Sequence, residues 1–308
     1  MRKILFSIFV VFTFCIAVWA ANPSQITIVH ITDTQVDSFS PDVKGRMLSR
    51  SFDLYQHAIT DINAVNPDIV VFSGDMINLP VKSEFKKFLA LSDKIKAPWY
   101  AALGNHDVGV LGGLSKKEII TLLNANNPAL KLQKPYYCIV KGDFVFIFMD
   151  GTSDIKITAQ GYFPPEQLEF LDKTLTRYSG KNAVIVQHFP LMPPFKSNTH
   201  YVKNKDEYLK ILDKHKNVIM LLAGHYHASS TVERNGVLHI TTSAMLEYPH
   251  VFRVLTVKNN PQNVVITSKI VQTRLSDLLA KSKSISTAPE LKEGEKTDNF
   301  FTITLEKK

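Results

Sequence analysis

Five apolar, strand-like runs in this chain each end in side chains that bind metals or move protons. Ile26 to Ile31 leads into Asp33-Thr34-Gln35, and Ile69 to Phe72 leads into Ser73-Gly74-Asp75. Trp99 to Leu103 leads into Gly104-Asn105-His106-Asp107, where the glycine is expected to allow a tight turn. Ala183 to Val186 leads into Gln187-His188, and Val218 to Ala223 into Gly224-His225-Tyr226-His227. Carboxylates, amide oxygens and imidazoles on this scale exceed one structural zinc site, which closes on about four ligands and favours cysteine. The mixture of oxygen and nitrogen donors suits two divalent ions about 3.5–4 Å apart. Two such ions bring four positive charges; Asp33, Asp75 and a bridging hydroxide remove three. The remaining charge of about +1 suits an anionic substrate whose charge grows in the transition state. In an extended segment His225 and His227 would point to opposite sides, whereas a turn after Gly224 would aim each at a different ion.

Strands alternating with helices predict an α/β fold with parallel pairing through right-handed crossovers. The C-terminal ends of parallel strands share an edge, and ligands gather there. A helix is expected over about Lys44 to Val65, with Leu48, Phe52, Tyr55, Ile59 and Ile62 on one face. A second runs from Ser83 to Ile95 with Phe85, Phe88, Leu89 and Ile95 inward, and another starts at Ser115, where Glu118 completes a capping box. Pro165 to Tyr178 has proline in its first turn, and Asp206 to His215 is a charged helix. Strands are expected at Phe144 to Met149, Val237 to Thr242, Phe252 to Val257 and Asn263 to Val271, with a short helix at Leu275 to Leu279. Lys281 to Thr297 reads as a flexible polar linker before a last strand, Phe300 to Leu305.

The 308 residues carry a formal net charge of +8, with 45% hydrophobic side chains. The lysines are scattered, without interleaved aromatics, so a nucleic acid polymer is not expected as partner. Met1-Arg2-Lys3, the apolar run Ile4 to Trp19 and the tripeptide Val18-Trp19-Ala20 read as a secretory signal, with a mature chain from Ala21. The alternative is an uncleaved membrane anchor facing outward, for which the run is short. Phe14 argues against lipidation at Cys15, and Cys138, the one cysteine left, reads as a small buried hydrophobe. The expected organisation is a signal peptide (1–20), a catalytic domain (21–258) and a C-terminal extension (259–308).

Taken in order, these motifs resemble the calcineurin-like metallophosphoesterases, whose pattern is Asp-x-His, Gly-Asp, Gly-Asn-His-Asp/Glu, a lone His and Gly-His-x-His. The resemblance covers about residues 24–257. It is strongest to the cyclic-nucleotide phosphodiesterase-like branch, through Pro165-Glu166-Gln167-Leu168-Glu169-Phe170-Leu171 and Glu247-Tyr248-Pro249. It implies a four-layer α/β-β/α sandwich of two mixed sheets with helices outside. It implies that Asp33, Gln35 and His227 hold one metal, that Asn105, His188 and His225 hold a second, and that Asp75 bridges them. His106 would bind phosphate oxygens or protonate the leaving group, with Asp107 orienting it. Gln35 replaces the usual histidine. A neutral amide oxygen is a weaker, harder ligand and tilts selectivity from zinc toward manganese, magnesium or iron. Asp-x-Gln is similar to the manganese-dependent ADP-ribose/CDP-alcohol diphosphatases.

The expected activity is hydrolysis of a small phosphodiester, nucleotide-related, by a metal-bridging hydroxide attacking phosphorus in line. The alternatives are a nucleotide-diphosphate pyrophosphatase, a phosphomonoesterase, and a metal-stabilised binding protein with little turnover. Gln35 could instead face away from the metal. His200, Tyr201, Tyr226, Tyr248 and His250 are candidates for substrate contact, since loops over a rigid edge carry specificity. His30 and His239 read as satisfied sheet residues, and His57 and His215 as solvated ones.

Overall fold

Apolar runs bounded by turn residues become strands, and here most strands are buried on both faces. The computed structural model describes residues 24–110 and 112–307. The N-terminal run read as a signal lies outside the described residues. The chain order is β1 (Ser24–Ile31), α1 (Ser51–Val65), β2 (Ile69–Phe72), α2 (Lys82–Ser92), β3 (Trp99–Ala101), α3 (Lys116–Asn126), β4 (Tyr137–Lys141) and β5 (Phe144–Phe148). Then come α4 (Pro165–Arg177), β6 (Asn182–Val186), α5 (Lys205–Lys214), β7 (Val218–Ala223), β8 (Ser230–Arg234), β9 (Val237–Thr241), β10 (Val251–Asn259) and β11 (Asn263–Gln272). The chain closes with α6 (Ser276–Ile285), α7 (Pro289–Glu293), α8 (Lys296–Asn299) and β12 (Phe301–Glu306).

Two six-stranded mixed sheets result, ordered β12-β11-β10-β1-β2-β3 and β4-β5-β6-β7-β9-β8. The two-residue period of a strand assigns its side chains to layers. Ile26, Ile28, Ile69 and Val71 of the first sheet meet Phe144, Phe146, Phe148 and Val184 of the second between the sheets. Val29, Ile31, Val70 and Phe72 face the other way, onto α1 and α2. Val145, Ile147 and Ile185 pack against Leu168, Leu171 and Leu209 of α4 and α5. The expected four-layer sandwich is therefore present. β1, β2 and β3 run parallel, as do β5, β6 and β7, so each sheet brings its polar strand ends to one edge.

Several expectations change. The helix expected from Lys44 begins only at Ser51, after a 3-10 turn at Leu48–Arg50. Residues 43–46 form a tight hairpin instead, with left-handed Lys44 and Gly45 at its tip. The capping box at Ser115 and Glu118 forms as expected. The segment read as a flexible linker folds as α6, α7 and α8. Its carbonyls and carboxylates are anchors: the Lys292 carbonyl accepts from Ser229 N–H and Ser243 Oγ, and Asp298 accepts from Thr231 N–H at 2.7 Å. Polar anchors of this kind leave no apolar periodicity to read. β8 was missed for a similar reason, being a largely exposed edge strand. His215, expected to be solvated, meets Asp172 at 2.6 Å.

Arg253 of β10 is fully buried and, among the described residues, forms no ion pair with a carboxylate. It donates to Thr242 Oγ1 at 3.0 Å, to Ser268 Oγ at 2.7 Å and to the Asp298 carbonyl at 2.9 Å. Thr242 Oγ1 lies 3.0 Å from His30 Nδ1, and His30 Nε2 lies 2.8 Å from Ser73 Oγ. His30 is thus a satisfied sheet residue, as expected, whereas neither ring nitrogen of buried His239 has a partner among the described residues.

Burial, assisted by Arg253, lowers the His30 pKa to about 3, and burial lowers that of His239 to about 4. Both lie below the ordinary value of 6.5, so on acidification the unfolded chain takes up these protons first. Their contribution to stability is therefore full above about pH 6.5 and is lost as pH falls toward 4. Urea unfolding of the metal-free protein should show the midpoint falling across this window, and falling less in His239→Leu. Parallel pH profiles for the two proteins would refute the assignment.

Candidate metal centre

The edge where the two sheets' polar strand ends meet carries the site. Asp33, Gln35, Asp75, His225 and His227 all have positive φ, between 38° and 71°. This backbone is costly for residues other than glycine and clusters at functional sites. It turns each strand end back on itself, so side chains from separate loops converge. At Gly224 a Cβ would lie 1.9 Å from Thr32 Oγ1, and at Gly104 it would lie 2.1 Å from Asp75 Oδ1. Glycine is needed at Gly104 for this close approach of Asp75 rather than for the turn expected from sequence. The Tyr226 amide donates to the Gly224 carbonyl at 2.8 Å, and this turn sends His225 toward His188 and His227 toward Asp33.

Two donor sets form around Asp75. In the first, His227 Nε2 lies 3.2 Å from Asp33 Oδ1, and Gln35 Nε2 lies 3.1 Å from Asp75 Oδ2. In the second, His188 Nε2 lies 3.2 Å from Asn105 Oδ1, 3.1 Å from His225 Nδ1 and 3.3 Å from Asp75 Oδ2. Asp33, Asp75 and His188 each offer an atom within 4.8 Å of the other two, and all three are buried.

The remaining nitrogens of the imidazoles face outward to acceptors. His188 Nδ1 meets the Ser73 carbonyl at 2.9 Å, His225 Nε2 the Ala159 carbonyl at 2.8 Å, and His227 Nδ1 the Glu247 carboxylate at 2.6 Å. Each contact gives the outward nitrogen an acceptor for its hydrogen, so the inward nitrogen is the one that a metal ion would displace a proton from and use. Asp33 Oδ1 and Gln35 Oε1 are buried without a hydrogen-bond donor. Orphaned buried oxygens are costly unless a cation or water satisfies them. The donor types, convergence and orphaned atoms fit two divalent cations. Gln35 is brought into the cluster rather than facing away.

Charge follows the same logic. Burial raises the pKa of Asp75, but His188 and His106 outweigh it and hold the carboxyl well below its usual range. Burial lowers that of His188, but Asp75 and Asp33 outweigh it and push it up to about 9. The two carboxylates thus call for positive charge at this place.

His106 Nδ1 lies 2.8 Å from the Asn78 carbonyl, which leaves Nε2 directed away from the backbone. Asp107 corrects the expectation that it orients His106. Its carboxylate accepts from the amides of Met76 at 2.8 Å, Ile77 at 3.2 Å and Gly104 at 2.8 Å, and so ties the loop after β2 to the loop after β3. A cleft of about 400 Å³ opens beside His106, lined by Leu79, Pro80, Val108, Ile157 and Ala159 among others. A larger cavity of about 900 Å³, between β4 and α4, contains none of the donor residues.

Among the expected substrate contacts, His200 stacks near His225, with centroids 4.8 Å apart, and buried Tyr226 donates to the His200 carbonyl. Tyr201 is 40% exposed, and among the described residues its side chain makes no hydrogen bond to the cluster. Tyr248 is a correction: its hydroxyl donates to Glu293 at 2.9 Å and Lys283 lies over its ring, so it packs on the C-terminal helices. His250 is buried, with Nδ1 against the Met245 carbonyl at 3.0 Å. The residue that sequence reasoning missed is Glu247. It entered the resemblance only within Glu247-Tyr248-Pro249 and without a role, because its partner His227 lies twenty residues earlier.

Residues 26–229 match the family described as calcineurin-like phosphoesterase. An Arcobacter nitrofigilis protein named probable glycerophosphodiester phosphodiesterase GpdQ is 26% identical over 229 residues, covering 70% of this chain and 77% of its own. A manganese-dependent ADP-ribose/CDP-alcohol diphosphatase of Xenopus tropicalis is 33% identical over 134 residues, covering 42% of this chain and 35% of its own. Among solved structures, a Danio rerio dimetal phosphatase superposes with a TM-score of 0.61 at 18% identity, covering 80% of this chain and 99% of its own.

Glu247→Gln keeps the shape of the His227 partner and removes its charge. It is expected to weaken one of two bound ions about 10–100-fold with the fold retained, as measured by chelator competition and circular dichroism. Two unchanged affinities would separate Glu247 from the metal centre.

Proposed function

This chain belongs to the calcineurin-like phosphoesterases, and on that footing we propose that it is a two-metal phosphodiesterase acting on a small, nucleotide-related phosphodiester. The observation that carries the reading is the inward set of imidazole nitrogens, each fixed by an outward partner, around two orphaned buried oxygens. Asp33, Gln35 and His227 would hold one ion and Asn105, His188 and His225 the other, with Asp75 shared. Two divalent ions there supply an activated water and neutralise phosphoryl oxygens. With Nδ1 held at the Asn78 carbonyl, His106 lines the cleft, and in its doubly protonated form its Nε2–H would bind a phosphoryl oxygen or pass its proton to the departing alkoxide. The apolar cleft beside it accepts the leaving group and limits water around that proton. Asp107 keeps His106 and Asn105 in place through the backbone.

The hard amide oxygen of Gln35 favours manganese over zinc at the first ion. The second reading, cleavage of a nucleotide diphosphate, is favoured by Asp33-Thr34-Gln35 and by relatives named manganese-dependent diphosphatases.

Metal-stripped protein should regain turnover best with manganese, against a panel of Mn, Mg, Fe, Zn and Ca. A phosphodiester, linear or cyclic, should be preferred over a monoester and ADP-ribose, and preference for ADP-ribose would select the second reading. Asp75→Asn should lose several kcal/mol of transition-state stabilisation, on the order of 10³-fold in rate, with the fold intact. Two bound ions without hydrolysis of any phosphoester would leave only the binding-protein reading.

The basic start and apolar run of residues 1–20 support export of the chain across a membrane, to the periplasm or the medium. Intact mass of the exported protein should place its N-terminus at Ala21; a retained Met1 would make the segment an anchor.

A further inference from the structure

We propose that a second anion-binding subsite, built by Lys44, Arg46 and Lys292 beside the first metal set, selects substrates with a negatively charged group beyond the scissile phosphoryl. The proposal rests on the phosphodiesterase reading and adds to it the substrate's second charge.

Three distant parts of the chain meet at this place. The hairpin 43–46 is stitched to the chain after β9, with Arg46 bridged to Glu247 and the Met47 amide donating to the Leu246 carbonyl at 3.1 Å. The helix α6 packs on the hairpin tip: Ser282 Oγ donates to the Gly45 carbonyl at 2.6 Å, and a Cβ at Gly45 would lie 2.9 Å from Ser286 Cα. From α7, Lys292 reaches back to the Tyr226 carbonyl at 3.4 Å and to Glu247 Oε2 at 3.6 Å. Between them lies a cleft of about 340 Å³, lined by Val43, Lys44, Arg46, Glu247, Thr287 and Lys292.

Cations outnumber carboxylates three to one in the lining of this cleft. Glu247 is its one acidic lining residue, and its carboxylate is engaged by His227 at 2.6 Å and by Lys292. Lys44 and half-buried Arg46 have no ion pair and no side-chain hydrogen bond among the described residues. A guanidinium held partly out of water is suited to an oxyanion, which it can bind through two parallel N–H donors. The cleft abuts Glu247 and thus lies directly behind His227, whereas the apolar cleft lies on the His106 side. With the subsite in place, a substrate turns its leaving group toward the cleft at His106, which Lys156 also lines, and its retained, anionic part toward Arg46. Lys44 and Arg46 lie within the residues that match the family, and Lys292 lies beyond them.

Two probes differ only in the charge at issue: thymidine 5′-monophosphate and thymidine 3′,5′-bisphosphate. Calorimetry on the manganese-loaded protein should show the bisphosphate binding at least tenfold tighter. In Lys44→Gln/Arg46→Gln that advantage should fall below threefold, and Arg46→Lys should keep part of it. In kinetics, the 3′-phosphate should lower the KM of the corresponding 5′-p-nitrophenyl esters about fivefold or more, with kcat changed less than twofold. Equal binding of the two nucleotides by the wild-type protein, or an advantage that survives the double variant, overturns the subsite whether or not the esters are hydrolysed. Tighter bisphosphate binding that depends on Lys44 and Arg46, with neither ester hydrolysed, keeps the subsite and overturns the phosphodiesterase reading instead.

Discussion

The site depends on backbone held against its preference. Five donor residues sit in left-handed conformations, each at a cost of order 1–3 kcal/mol relative to a relaxed backbone. What holds them is a set of main-chain bonds between loops. The Asp33 amide donates to the Gly74 carbonyl at 3.1 Å, the Gln35 amide to the Asp75 carbonyl at 2.9 Å, and the Leu246 amide to the Asp33 carbonyl at 3.1 Å. The Gly224 amide donates to the His188 carbonyl at 3.0 Å. Asp33, Gln35 and Asp75 are in this way braced loop against loop, and the bonds of Leu246 and Gly224 tie the loops of the two sheets to them, so the brace needs the two sheets in register. The interior that fixes this register is apolar and far larger than any single polar contact, so the strain is affordable only because the strand ends have nowhere else to go.

How much of this was legible in the residues differs by level. The donor residues stood at strand ends in plain view, because an apolar run followed by Asp, Asn or His is local information. The alternation of strand and helix was legible for the same reason. The four layers required the resemblance, since periodicity says which face is buried but not what buries it. What could not be read was every partner that lies far along the chain. Glu247 contacts His227, the Ala159 carbonyl contacts His225, and the Asn78 carbonyl contacts His106. None of these has a spacing signature, because backbone carbonyls carry no residue type at all. Asp107 illustrates the opposite error: its adjacency to His106 suggested a pair, but a carboxylate at a loop base is drawn to amides that have no other acceptor.

The C-terminal part shows how a polar segment can be ordered without an apolar stripe. Helices α6 to α8 hold their places by carbonyl, hydroxyl and carboxylate contacts to residues 45, 229, 231, 243 and 253. β12 then completes the first sheet beside β11. A segment that reads as a linker is in this way both the edge of a sheet and the rim of the metal centre. The two ends of that centre differ in character, apolar at His106 and cationic at Arg46.

Arg253 gives this arrangement a direction. Its guanidinium can only donate, so the Thr242 hydroxyl that receives its N–H keeps its own hydrogen to turn toward His30 Nδ1. His30 is then obliged to carry its proton on Nε2 and to offer it to Ser73 Oγ, on the residue whose carbonyl receives His188. The hydrogens along this row all face the same way, as in a single domain of ordered ice, and the orientation is imposed from one end. In this arrangement every polar group from Arg253 to Ser73 has a donor matched to an acceptor. A buried cation, which looks like a defect in the sheet, thereby biases the polar floor above it toward one orientation.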